Sequence, residues 1–155
     1  MSTVISEEAV VAPDASIGEN VIIEEGVRIG AGSEIGHGVV ICKGTVIGEQ
    51  VSIEHNSVIG RQPRSGARSR RKTGEREPLK VGDGVVIGSC VVLYAGSVIE
   101  YEAMIADLAS IREDCHIGKA AIFAFKGVTT SELSFARDTI KKLIGKAEPP
   151  SGESE

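Results

Sequence analysis

Large aliphatic residues return at every sixth position through most of this chain. A first run reads Ile5, Val11, Ile17, Ile23, Ile29, Ile35, Ile41, Ile47, Ile53 and Ile59. A second reads Val81, Ile87, Leu93, Ile99, Ile105, Ile111 and Ile117, and closes on Phe123. Four positions after each stands something small or β-branched, among them Val21, Ser33, Thr45, Ser57, Val85, Ser97 and Cys115. An α-helix would smear such a period around its circumference, and a hairpin strand would keep a period of two for longer than one hexad. One large and one small inward position per six residues predicts a parallel β-helix of hexapeptide repeats. Each hexad is a short strand and a bend; the small residue and the next large one lie two apart, on one inward face. Gly26, Gly32, Gly38, Gly44, Gly84 and Gly96, with Asn20 and Asn56, recur three positions after a large residue, where the bend calls for positive φ. Three hexads close one triangular coil, and coils stack about 4.8 Å apart. The chain therefore predicts an all-β domain of about six triangular coils.

Two stretches leave the period. After Phe123 the ladder fades, and Thr129 with Glu132 makes a capping box. Leu133, Ala136, Ile140, Leu143 and Ile144 follow at helical spacing, and Gly145 is a stop. A short α-helix over about 130–145 is expected to flank the open end and hide its strand edges. Residues 1–145 then form a single domain, with 146–155 a disordered tail.

The second break lies between Ile59 and Val81, where a loop at about 61–79 is extruded and Leu79 resumes the inward pattern. The stretch from Arg61 to Lys80 holds eight of the 17 basic residues and only Glu75 and Glu77 of the 22 acidic ones, leaving nine basic against 20 acidic elsewhere. A basic arm on an acidic body suits the capture of a phosphate or diphosphate, for which arginine offers two-point contacts. A solvated loop is the plain alternative. A nucleic-acid arm is disfavoured, because aromatic residues do not interleave the charges and the body would repel a polyanion.

Composition adds bounds. Aromatic residues are only 3 % and tryptophan is absent, as suits a narrow interior filled by aliphatic ladders. No signal peptide or transmembrane run is evident, and the three cysteines show no C-x-x-C spacing, so a reduced cytoplasmic setting is expected. Cys115 falls on an inward position. Glu19, His37 and His55 stand one coil apart at the same corner, a column that could supply a general base or hold a metal, although repeats stack like on like automatically. Tyr94, Asp107, Arg112 and Glu113 form a second polar set, in which Arg112 breaks its own repeat by replacing a corner glycine.

The stretch Val81–Gly118, together with Ile59-Gly-Arg-Gln-Pro-Arg64, resembles the left-handed β-helix hexapeptide acyltransferases, and most of all those acetylating sugars or nucleotide-linked amino sugars. The similarity covers roughly residues 11–119. It implies a left-handed coil and a homotrimer with acetyl-CoA as co-substrate in clefts between copies, where an acceptor amine or hydroxyl attacks the thioester. On that reading His55, then His37, with Asp107, are the candidate catalytic groups. Glu113, Tyr94 and Arg112 would bind the acceptor, and Arg61, Arg64, Arg70 and Arg71 the phosphates of CoA. No metal, nucleic acid or membrane is expected. A structural or assembly β-helix is the main alternative. A metal-dependent enzyme resembling the γ-class carbonic anhydrases is a weaker one, since His116 does not match that family's three-histidine site. The family usually carries further coils beyond the point where this ladder fades.

Overall fold

The computed structural model describes residues 2–70 and 73–124. Nearly every hexad contributes a strand of two residues, such as Ile22–Ile23 or Val46–Ile47, whose second residue turns inward. Among the described residues, 18 strands assemble into three six-stranded parallel sheets, each strand pairing with those three before and three after it. Ile5 pairs with Ile23, Ile23 with Ile41 and Ile41 with Ile59, so large residues stack on large residues. Sheet A carries this ladder on to Leu93 and Ile111. Sheet B runs from Val11 to Ile117, and sheet C from Ile17 to Phe123. The chain winds from A to B to C through six coils, a parallel β-helix consistent with the left-handed form expected.

The core is the column inside the three sheets. Val21, Ile41, Ile59, Leu93 and Ile105 are wholly buried, whereas Ile5 in the first coil is 44 % exposed and Phe123 in the last is 40 % exposed. Each coil is covered only by its neighbours, as in any solenoid. Cys115 packs against this core. The predicted positive φ occurs at Asn20 and at Gly26, but Gln50, Cys90, Glu102 and Leu108 adopt it too. The bend imposes the left-handed conformation even where a side chain resists it.

Hydroxyls at the small inward position bolt successive coils together. Ser57 Oγ donates to the Gly88 carbonyl at 2.8 Å and accepts from the Val91 N–H at 3.1 Å. Ser33 does the same with Gly48 and Val51, and Ser97 with Arg112 and Cys115. Thr3 repeats the pattern with Gly18 and Val21.

The extruded loop is shorter than 61–79. Arg61 belongs to the strand Val58–Arg61 and pairs with Tyr94 across a bulge at Gly60, while Leu79 is wholly buried and its carbonyl accepts the Val46 N–H. Backbone pairing thus claims Arg61, and core burial claims Leu79. The helix expected at about 130–145 and the tail at 146–155 lie outside the described residues. Among the described residues, no helix is long and apolar enough to cross a membrane.

Candidate functional site

Two corners flank sheet A, and the predicted site residues divide between them. The corner leading from sheet C into sheet A carries Glu19, His37, His55, Ser89 and Asp107 in successive coils. The His37 and His55 rings stack at 4.9 Å between centroids, 9° from parallel. Their Nδ1 atoms are engaged: the Glu19 N–H donates to His37 Nδ1 and the His37 N–H to His55 Nδ1, each at 2.8 Å. Asp107 Oδ1 accepts the Ser89 N–H at 2.7 Å in the same way. The corner N–H has no place in the ladder, so a side chain from the next coil satisfies it. Glu19 therefore meets His37 through its backbone, and each neutral imidazole carries its proton on Nε2, which faces outward. Both rings are exposed.

Sequence reasoning overlooked this capping, yet it has a readable signal. A Cβ on Gly18 would lie 2.8 Å from His37 Nδ1, and one on Gly36 would lie 2.7 Å from His55 Nδ1. Glycine below thus opens the path for an acceptor 19 positions later. Gly88 with Asp107 obeys the same rule, as does Gly48 with Asp83 across the inserted loop.

The corner leading from sheet A into sheet B carries Arg61, Tyr94, Arg112 and Glu113. The Tyr94 ring is nearly buried, with the Arg112 guanidinium 4.0 Å from its centroid and that of Arg61 5.8 Å away. Arg112 Nε also pairs with the buried Glu113 carboxylate at 3.0 Å. The ring holds two cations in place, one coil below and one coil above it.

The arm springs from this corner and is pinned at its root. Gln62 closes it like a backbone pair: its Nε2 donates to the Arg76 carbonyl and its Oε1 accepts the Arg76 N–H, both at 2.8 Å. Arg76 Nε pairs with Asp114 at 2.8 Å, and the Gly96 N–H donates to the Glu77 carbonyl at 2.6 Å. Under this root lies a cavity of about 430 Å³, lined by Lys43, Arg61, Arg64 and Arg76, by Glu24 and Glu75, and by Cys42 and Gly60. Burial pushes the Cys42 thiol up to about 11, with Glu24 adding to the push and Arg61 opposing it. Arg70 lies in the arm and is exposed, and Arg71 falls outside the described residues. Among the described residues, no group of three or more His, Cys, Asp or Glu side chains is placed to hold a metal ion.

The structure thus gathers His37, His55 and Asp107 on one corner, and Arg61, Arg64, Tyr94, Arg112 and Glu113 on or beside the other. Within one chain the width of sheet A separates the two groups.

Residues 2–37 and 26–61 match the family described as bacterial transferase hexapeptide (six repeats). No curated protein matches the chain by sequence. Among solved structures it is similar to GDP-perosamine N-acetyltransferase from Caulobacter crescentus, solved with CoA and GDP-perosamine, at 21 % identity and a TM-score of 0.65. That likeness covers 79 % of this chain and 51 % of the other. UDP-N-acetylglucosamine O-acyltransferase from Moraxella catarrhalis aligns at 20 % identity and a TM-score of 0.61, over 78 % of this chain and 55 % of that one. LpxA from Acinetobacter baumannii aligns at 23 % identity and a TM-score of 0.58, with the same coverage. The chain spans about half the length of these structures. By its matched repeat over residues 2–61 and its three-sheet coil, the chain is similar to the hexapeptide-repeat β-helix proteins and shares their fold.

Proposed function

We propose that the chain is an acyl-CoA-dependent acyltransferase, using acetyl-CoA to acylate a sugar or nucleotide-linked amino sugar, and that it works as a homotrimer. The observation that carries this reading is the outward face of sheet A. Its six outward positions are Val4, Ile22, Val40, Val58, Val92 and Ser110, aligned in register. The corresponding positions include Arg28, Lys80 and His116 on sheet B, and Ser16, Glu34 and Ser52 on sheet C. Sheets B and C each also carry three aliphatic outward residues, Val10, Val46 and Val98 on one and Val86, Met104 and Ile122 on the other. Sheet A, with five of six, is the most aliphatic of the three faces and suits burial against further copies of the same chain. With sheet A turned to a three-fold axis, the His55 corner of one copy faces the Arg61–Tyr94 corner of the next. The divided site then becomes one cleft.

The chemistry follows from the atoms left available. His55 presents Nε2–H, a donor suited to the oxyanion formed when an amine or hydroxyl attacks the thioester. Asp107 stands two coils further on, roughly 10 Å away, and its second oxygen can hold the acceptor. Arg112, held by the Tyr94 ring and the buried Glu113 carboxylate, flanks the acceptor from the other side, and Arg61, Arg64, Arg70 and Arg71 would neutralise the phosphates of CoA. Holding donor and acceptor together supplies much of the rate.

A thermal titration with acetyl-CoA tests this reading. A melting temperature that climbs with ligand concentration supports it. No shift at millimolar acetyl-CoA would sink it and leave an assembly protein without turnover.

A further inference from the structure

Thr45 breaks the bolting pattern. It occupies the same small inward position as Ser33, Ser57 and Ser97 and is wholly buried, yet its Oγ1 has no hydrogen-bond partner among the described residues. By the pattern of the other bolts, its partners should be the Gly60 carbonyl and the Leu79 N–H. Those two residues bracket the inserted arm. Gly60 stands at φ +87°, whereas the other glycines directly after a large inward residue do not adopt positive φ. A Cβ at Gly60 would collide with Thr45 Oγ1. The bulge between Ile59 and Arg61 that turns Gly60 away is the same bulge that sets Arg61 against Tyr94.

We propose that Gly60 is a two-state peptide switch, with Thr45 as its latch. In the state described above, Gly60 takes the left-handed conformation, the Arg61 carbonyl accepts the Ala95 N–H at 2.9 Å, and the Arg61 guanidinium lies over Tyr94. In the second state Gly60 returns to the conformation of the repeat and its carbonyl accepts the Thr45 hydroxyl, as Gly88 accepts that of Ser57. Arg61 then loses its register with Tyr94 and the Ala95 N–H loses its acceptor. No bond is made or broken covalently. The buried orphan hydroxyl favours the second state, while the arginine–tyrosine contact and the Ala95 bond favour the first. The switch sets where the Arg61 cation stands at the mouth of the cavity. Its bearing on CoA rests on the transferase reading; the switch itself does not.

Amide hydrogen exchange at Ala95 reads the switch directly in the full chain. Thr45→Val keeps the shape and removes the latch, so Ala95 exchange should slow by about fivefold, the size of one ordinary hydrogen bond. Thr45→Ser should exchange like the wild type. Gly60→Ala penalises the left-handed state and is tolerated in the second, because non-glycine residues such as Cys42 and Glu54 occupy the same repeat position. It should therefore speed Ala95 exchange, with amides of the distant ladder, such as that of Ile23, unchanged as a control for folding. Equal Ala95 exchange in wild type and Thr45→Val would overturn the switch. Altered Ala95 exchange in a protein that acetyl-CoA does not stabilise would keep the switch and reject the transferase reading.

Discussion

At the scale of single residues, the environments are set by which coil lies above and below. Cys42 lines the cavity beneath the arm and keeps its proton well past the ordinary thiol range, up to about 11, because burial and Glu24 both disfavour the thiolate. Only the thiolate is alkylated. Iodoacetamide should therefore label the exposed Cys90 first at pH 8, with Cys42 labelling rising only as the pH approaches 11. Glu24→Gln should bring that rise to lower pH, and mass-mapped labelling against pH checks both. The sign for stability follows: between the ordinary thiol value and 11 the unfolded chain has lost a proton that the fold keeps, so stability falls as pH rises. Glu100 behaves oppositely. Hydrogen bonds from His116 and from the Lys119 N–H hold its carboxyl below the ordinary range, so its contribution is present at neutral pH and lost on acidification.

Between strands, the inward hydroxyls of Thr3, Ser33, Ser57 and Ser97 act as fasteners from one coil to the next. Ser57→Ala removes two bonds and leaves a buried carbonyl and a buried N–H unpaired, which should cost about 1–3 kcal/mol. Thr45→Val removes a hydroxyl with no partner and should instead stabilise by about 1 kcal/mol. Opposite signs for two hydroxyls at the same repeat position, one preceding a sheet B strand and one a sheet A strand, read by urea unfolding, would be hard to explain any other way. The strands themselves were legible from the sequence, because inward size alternates with a period that only stacked coils satisfy. The run Ile23, Ile29, Ile35, Ile41, Ile47, Ile53 and Ile59 establishes it, and Ile23, Ile41 and Ile59 stack as it requires. The bolts were less legible. Serine at an inward position reads simply as small, and its bonding depends on a carbonyl 15 residues away, or 31 across the arm.

For the whole molecule, the aliphatic face of sheet A should decide the assembly. Val40 points outward at the middle of that face and contributes little to its own coil's core. Val40→Glu should therefore leave the fold intact and reduce a trimer to monomers in light scattering. Val46→Glu, on sheet B, serves as the control and should stay trimeric. A trimer that survives Val40→Glu would place the interface elsewhere. The candidate site was only partly legible for a related reason. His37, His55, Arg61 and Tyr94 could each be picked out as polar residues at corners, but the separation of the two groups by sheet A depends on the order in which corners follow sheets. The engagement of Nδ1 depends on glycines one coil below, and neither fact appears in local spacing.

The inserted arm leaves the register of the ladder untouched, since Val81 pairs with Ile47 as though nothing had intervened. Such an insertion is a cassette. Joining Gln62 directly to Leu79 restores six positions from Ile59 to Val81, so the arm is free to be shortened, exchanged or removed without the helix losing count. Recognition could then diversify at this corner while the coil that carries it stays the same.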